Sequence, residues 1–155
     1  MREITNENLI DLNLKAFTRT EAIRKLSLLL KEQGLLSSLD LFLVDVLKRE
    51  QEETTGFGMG FAIPHGKSKA VKETAVAVGR LAAPVEWKSL DDQPVEMIFL
   101  LAVPEAAAST DHLVMLSRIA GVLMEDDFRE QLLAAQQPRE VIDLMNIKAQ
   151  EDPEF

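Results

Sequence analysis

Two histidines, His65 and His112, with no cysteine and no tyrosine, leave a short set of groups able to act as nucleophiles near neutral pH in this chain of 155 residues. His65 lies in the run Gly56-Phe57-Gly58-Met59-Gly60-Phe61-Ala62-Ile63-Pro64-His65-Gly66-Lys67. Glycines there let backbone N–H groups approach an anion, and Pro64 fixes the path of the chain into the histidine. Neutral imidazole is a competent nucleophile at pH 7, and its phosphoryl adduct is labile enough to pass the group onward. A lone loop histidine also has a plain alternative, solvated and inert, and pattern alone leaves both open.

His112 follows Ser109-Thr110-Asp111 at the expected start of a helix, where free N–H groups and the helix dipole favour an anion. It suits a role beside a phosphoryl group on His65, or a purely structural one at the edge of the core. Arg49, at the end of an expected helix, suits bidentate phosphate binding if that helix end points at the glycine run; otherwise it is a solvated charge. Lys67, Lys69 and Lys72 form a local positive cluster that would draw in a phosphorylated partner, or do nothing of the kind. Thr54 and Thr55 offer hydroxyls at the loop entrance, although threonines before a glycine turn commonly satisfy the local backbone.

Other chemistries fail on inspection. The glycine run lacks the last glycine of G-x-G-x-x-G, and there is neither a P-loop nor a G-x-S-x-G elbow. A metal site built on the two histidines would need carboxylates such as Asp111, and the spacing matches no ligand pattern, so neither metal nor cofactor is expected. With 17 Lys+Arg against 26 Asp+Glu the formal charge is −9, which disfavours a nucleic-acid backbone as partner. The absence of cysteine removes thiol catalysis and disulfides. The N-terminus lacks the apolar core of a signal peptide, and the longest apolar run, Met97 to Val103, is too short to span a membrane, so a cytoplasmic location is expected.

The elements that must position these residues follow from periodicity. Leu9 to Leu14 alternates like a half-buried strand. Thr18 and Glu21 have capping-box spacing before an apolar stripe of Ile23, Leu26, Leu29 and Leu30, with Gly34 as the stop. A second helix begins near Ser37 or Ser38, carries Leu39, Phe42, Leu43, Val46 and Leu47 on one face, and ends in the charged run Lys48 to Glu53. The glycine run reads as a shaped loop with an extended piece at Phe61 to Ile63. Strands are expected at Ala75 to Val78, Val85 to Trp87 and Val95 to Val103, the last one central. Helices follow from about Thr110 to Met124, with Leu113, Leu116, Ile119, Ala120 and Leu123 inward, from about Asp127 to Ala135, and from Pro138. This order predicts an α/β fold, a single-domain sandwich with a mixed central sheet flanked by helices, over residues 1–148, with residues 149–155 as a C-terminal tail frayed from Glu151.

Arg49-Glu50, the run from Thr55 to Gly66, Val85-Glu86-Trp87, Asp92-Gln93-Pro94-Val95 leading into Ile98 to Pro104, and His112-Leu113 recur in this order in a known family. Across Leu9 to Leu144 the chain resembles the fructose/mannitol-type enzyme IIA of the bacterial phosphoenolpyruvate-dependent sugar phosphotransferase system. The resemblance implies that His65 accepts a phosphoryl group from phospho-HPr and passes it to an enzyme IIB, expected to be of the cysteine type. It implies that His112 assists, that Arg49 balances the phosphohistidine charge, and that Thr55 and Gly66 belong to the phosphate environment. Membrane contact would come only indirectly, through the permease, and the oligomeric state stays open. Met59 departs from the polar or acidic residue that relatives often carry there, and Glu52-Glu53-Thr54 makes a more acidic approach to the loop. Two further readings stay in view: a regulatory module of the nitrogen type that binds partners according to phosphorylation state, and a piece of a larger permease or regulator.

Overall fold

The computed structural model describes residues 4–107 and 110–151, and the backbone alone for residues 111, 112 and 149–151. The chain divides into two compact units, with the boundary after Ala107.

In the first unit a 3-10 turn, Glu7–Leu9, leads into β1 (Ile10–Leu14), α1 (Arg19–Glu32), α2 (Leu39–Glu52), β2 (Gly56–Gly58), β3 (Phe61–Ala62), β4 (His65–Ser68), β5 (Ala75–Val85) and β6 (Val95–Pro104). The strands form one mixed sheet in the order β1-β5-β6-β3-β2, with β4 also paired to β6. β6 runs antiparallel to β5 and parallel to β3 and β4, and β1 runs parallel to β5. The expected mixed sheet is present, with β6 in its interior. Every residue of β6 from Met97 to Val103 is buried, as an unbroken apolar strand covered on both faces must be.

The glycine run is more ordered than the expected loop. β3 pairs with Met97 and Ile98, and β4 pairs with Leu101 to Pro104, so both lie along the same edge of β6. Pro64 falls in the gap, where its missing N–H costs the ladder nothing, and its carbonyl accepts from Leu101 N at 2.9 Å. An open edge of β6 needs partners, and this is why the segment is drawn into short strands. The two separate strands expected near residues 75 and 85 are one strand, β5. Its pairing with β6 is irregular between Arg80 and Val85, which accommodates Pro84, and Trp87 lies buried beyond its end.

Both helices of this unit form where their caps say they should. Thr18 accepts from Glu21 N at 3.1 Å, and Glu21 reaches back to Phe17 N at 2.8 Å. Gly34 N donates to Lys31 O and Leu35 N to Leu30 O, both at 3.0 Å, the two bonds that close an α-helix in a Schellman turn. Ala22, Ile23, Leu26 and Leu30 are wholly buried, and each leucine taken out of water contributes roughly 1.5–3 kcal/mol. α2, capped by Ser38, presents Phe42, Leu43 and Val46 to the core and lies close over β4. The closeness depends on Gly66, where an added Cβ would stand 2.5 Å from Val46 Cγ2 and 3.2 Å from Phe42 Cε1.

The second unit holds α3 (Asp111–Leu123), α4 (Asp126–Ala134) and α5 (Pro138–Glu151), with Pro138 as the first helical residue, as expected. Ile119, Leu123, Phe128, Leu132, Val141, Ile142 and Met145 are buried. Leu113, expected inward, is 58% exposed and Leu116 is half-buried: the buried residues described in α3 begin at Ile119. Arg129 donates to Leu123 O at 2.6 Å and so closes α3, while Lys148 pairs with Glu125 at 2.6 Å and ties α5 to the α3–α4 turn. The expected tail from residue 149 begins inside α5, and residues 152–155 lie outside those described.

Two glycine replacements should have opposite signs. Gly66→Ala overpacks the α2–β4 contact and is expected to lower stability by about 1–3 kcal/mol. Gly121→Ala, in α3 with open space around the new methyl, should raise it by about 0.5–1 kcal/mol. Urea denaturation midpoints of the two variants check both; an unchanged midpoint for Gly66→Ala would show that α2 shifts at no cost.

Candidate functional site

His65 opens β4, half-buried, with its backbone held opposite Leu101 of β6. Its Nδ1 lies 3.0 Å from the carbonyl oxygen of Ile63. A carbonyl only accepts, so Nδ1 carries the proton, and the lone pair of the neutral ring is on Nε2. Ile63 sits between β3 and β4, outside the ladder, which leaves its carbonyl available to the ring, while its N–H donates to Thr55 O at 3.0 Å.

Thr55 is buried and held from both ends by one carboxylate. Its N–H donates to Glu50 Oε2 at 2.7 Å, and its hydroxyl donates to Glu50 Oε1. That hydroxyl also accepts from Trp87 Nε1 at 3.4 Å. Glu50 is only 3% exposed and lies 3.7 Å from Arg19 Nη1, which in turn donates to Trp87 O at 3.1 Å. Thr54 hydroxyl donates to the same Trp87 carbonyl at 3.2 Å and accepts from Gly56 N at 3.1 Å. Thr54 therefore joins two backbone groups, one local and one at Trp87, and Thr55 serves a buried network.

The turn between β2 and β3 is held by Asp91. Met59 stands at φ 58° between Gly58 and Gly60, which also have positive φ, and a non-glycine residue there needs outside support. Asp91 supplies it by accepting from Met59 N at 2.9 Å, and it accepts from Gln93 N at 3.1 Å. These two bonds, Met59 first, hold the Asp91 carboxyl below its ordinary 3.8. The unusual feature of position 59 is thus its backbone; the methionine side chain points to solvent, 42% exposed.

The other candidates fall as follows. Arg49 is half-buried in the last turn of α2 and donates to Glu53 O at 2.8 Å, one use of its five N–H groups. Gly66 follows His65 in β4 and is occupied by the close approach of α2. Lys67 shares the less buried side of β4 with His65, whereas Lys69 and Lys72 are exposed and line a cavity of about 460 Å³ with Val71, Pro104 and Glu105. His112 lies in the first turn of α3, in the second unit, and its side chain is outside the described residues. Among the described residues no group of three or more His, Asp and Glu is placed to hold a metal ion.

Sequence reasoning passed over Glu50 and Asp91. Glu50 had a signal: it extends the stripe Phe42, Leu43, Val46 by one turn onto the buried face. Asp91 had none, because its partner Met59 is 32 residues away.

The model of the family described as phosphoenolpyruvate-dependent sugar phosphotransferase system, EIIA 2, matches residues 3–148. The chain belongs to this family. It is 39% identical over 142 residues to a fructose-specific EIIA component of Haloferax volcanii, covering 92% of both chains. It is 35% identical over 151 residues to a 2-O-alpha-mannosyl-D-glycerate-specific EIIABC component of Escherichia coli, which is 97% of this chain but 23% of that one. It therefore spans under a quarter of the length of that relative. The nitrogen regulatory protein IIA-Ntr of Neisseria meningitidis has the same fold, with a TM-score of 0.84 and 32% identity over 91% of this chain and 95% of that one. No helix among the described residues is long and apolar enough to cross a membrane.

Acid should expose the Asp91 contact. Because its folded-state value is lowered, the stability it contributes is present above pH 3.8 and is lost as the pH falls through the lower folded-state value. Asp91→Ala should be less stable than the parent at neutral pH and lose less on acidification, measured as urea midpoints from about pH 5 to pH 2. Parallel curves would show that the turn does not depend on this carboxylate.

Proposed function

We propose that this EIIA chain is a phosphocarrier that takes a phosphoryl group on Nε2 of His65 from phospho-HPr and passes it to an EIIB, with a cysteine as the acceptor. The observation that carries this reading is the bond from His65 Nδ1 to Ile63 O, which puts the ring lone pair on Nε2. In the first step that pair attacks the donor's phosphorus. The new N–P bond forms as the donor's N–P bond breaks, and the electron pair of the broken bond stays on the donor imidazole. In the second step an acceptor thiolate forms an S–P bond, and the pair returns to Nε2. Little covalent chemistry is asked of the protein, so positioning and charge balance carry the rate. Nδ1–H held on Ile63 O keeps the ring from turning while Nε2 is loaded.

Arg49 balances the charge of the phosphohistidine, and His112 assists by hydrogen bonding. Thr55 and Gly66 shape the phosphate environment, Thr55 through the backbone it holds to Ile63 and Gly66 by seating β4 under α2. Residues 1–148 act as one functional domain, with residues 149–155 as an appendage, and the chain works in the cytoplasm. An EIIB acceptor is supported by the Escherichia coli relative, whose name joins A, B and C components. The likeness to the Neisseria meningitidis nitrogen regulatory protein favours a second reading, in which the phosphorylation state of His65 governs binding to a regulatory partner. An EIIB that drains the phosphoryl group supports transport, and failure of every cysteine-containing EIIB tested supports regulation.

Incubation with phosphoenolpyruvate, enzyme I and HPr should add one acid-labile phosphoryl group, read from the intact mass. His65→Ala should abolish the gain, and His112→Ala should slow transfer about a hundredfold. Equal labelling of the parent and His65→Ala would remove His65 as the acceptor.

A further inference from the structure

The buried carboxylate of Glu50 has no assigned role in the transfer chemistry, yet a charge at 3% exposure is costly unless each oxygen is engaged. Both of its oxygens are spent on one residue, Thr55, which they grip by the backbone N–H and by the hydroxyl. From Thr55 the contacts continue toward the histidine. Thr55 O accepts from Ile63 N at 3.0 Å, and Ile63 O accepts from His65 Nδ1 at 3.0 Å. Ile63 lies between two strands, so its carbonyl direction is not fixed by the sheet; its N–H bond to Thr55 anchors the peptide before it, and Pro64 after it confines its ψ to the extended range, so the carbonyl follows from that anchor. Trp87 and Arg19 complete the grip, one on the Thr55 hydroxyl and the other on Glu50.

We propose that Glu50 is a positioning residue for His65, acting through Thr55 and Ile63 to hold the ring in the Nδ1–H tautomer with Nε2 as the nucleophilic nitrogen. No proton moves along this relay; it fixes geometry. In water the proton of a neutral histidine rests mostly on Nε2, so the tautomer that the Ile63 contact calls for needs a fixed acceptor at Nδ1, and the relay supplies one. The consequence for transfer rests on His65 being the phosphoryl acceptor, while the tautomer itself does not. Releasing Thr55 frees the Ile63 carbonyl to turn, the ring reverts toward the Nε2–H form, and attack at phosphorus slows without loss of donor binding.

The test uses the full chain, ¹⁵N-labelled, with the His65 ring nitrogens read by long-range proton–nitrogen correlation at a pH where the ring is neutral. The parent is expected to show a protonated Nδ1 and an unprotonated Nε2. Glu50→Gln and Thr55→Val should each move both signals toward the other tautomer, and Thr55→Ser, which keeps the hydroxyl, should retain the parent pattern. Under the phosphoryl-transfer assay the first two should lose about ten- to hundredfold in kcat with KM for phospho-HPr unchanged. If Glu50→Gln does not fold, Thr55→Val carries the test, since it keeps the Thr55 N–H bond and loses only the hydroxyl. A folded Thr55→Val with the parent tautomer overturns the proposal even if the chain is phosphorylated normally. A tautomer shift in a chain that accepts no phosphoryl group upholds the positioning role and discards the phosphocarrier reading instead.

Discussion

A strand buried on both faces must have every backbone group met by its neighbours, because no water reaches it. β6 is that strand, and the way its two edges are covered sets the rest of the first unit. β5 covers one edge. The other is covered by two short pieces, β3 and β4, with Ile63 and Pro64 between them. Pro64 has no N–H to offer the ladder, so the break falls where it costs least. That break turns a structural segment into a site. It frees one carbonyl, that of Ile63, from the sheet, and it starts a new strand at the residue whose ring takes that carbonyl as its partner. A continuous strand would have spent the same carbonyl on the ladder.

The helices are placed by what β4 and the residues before β2 allow. α2 sits over β4 at a distance that only a missing side chain at Gly66 permits, and its last buried position is a glutamate where the stripe of Phe42, Leu43 and Val46 would continue as an apolar residue. An apolar residue at Glu50 would leave the Thr55 N–H buried without an acceptor, a loss of about 1–3 kcal/mol. The carboxylate is therefore tolerated in the core because it satisfies a backbone group that no other described residue reaches. Arg19 and Trp87, drawn from the start of α1 and the segment after β5, close the same cluster. One buried anion thus fixes the mutual placement of two helices and the entrance to the histidine segment.

Much of this was legible in the residues. Thr18, Glu21 and Gly34 bound α1 because capping is a local interaction, readable within four residues. Val95 to Val103 announced a central strand because burial on both faces leaves an unbroken apolar run. His65 stood out by its glycine and proline neighbours. What escaped was pairing over long distances in sequence. Gly56 to Ser68 looks like loop by composition, and only the demand of β6 for edge partners makes it strand. Asp91 and Met59 are 32 residues apart, and Glu50 reads as one more charge at a helix end until Thr55 and Trp87 are seen around it. Pro84 suggested two strands because the pairing irregularity that admits it leaves no trace in the sequence. Leu113 fits the helical period of α3 and is exposed all the same, since periodicity gives the face but not how far along it packing extends.

On the proposed function, charge raises a last constraint. A formal charge of −9 is unfavourable to the anionic phosphoryl group itself, so the groups that offset it have to lie within about a Debye length, roughly 8 Å at physiological salt. β-strand geometry supplies one without any special device. Residues two apart in β4 point to the same side, so Lys67 accompanies His65 on the less buried side of the strand while Gly66 and Ser68 face inward. Arg49, in the last turn of α2, carries five N–H groups, of which one is committed to Glu53 O. The chain as a whole can then be acidic, which limits encounters with other polyanions, while the few cations that matter are fixed by the same strand and helix that fix the histidine.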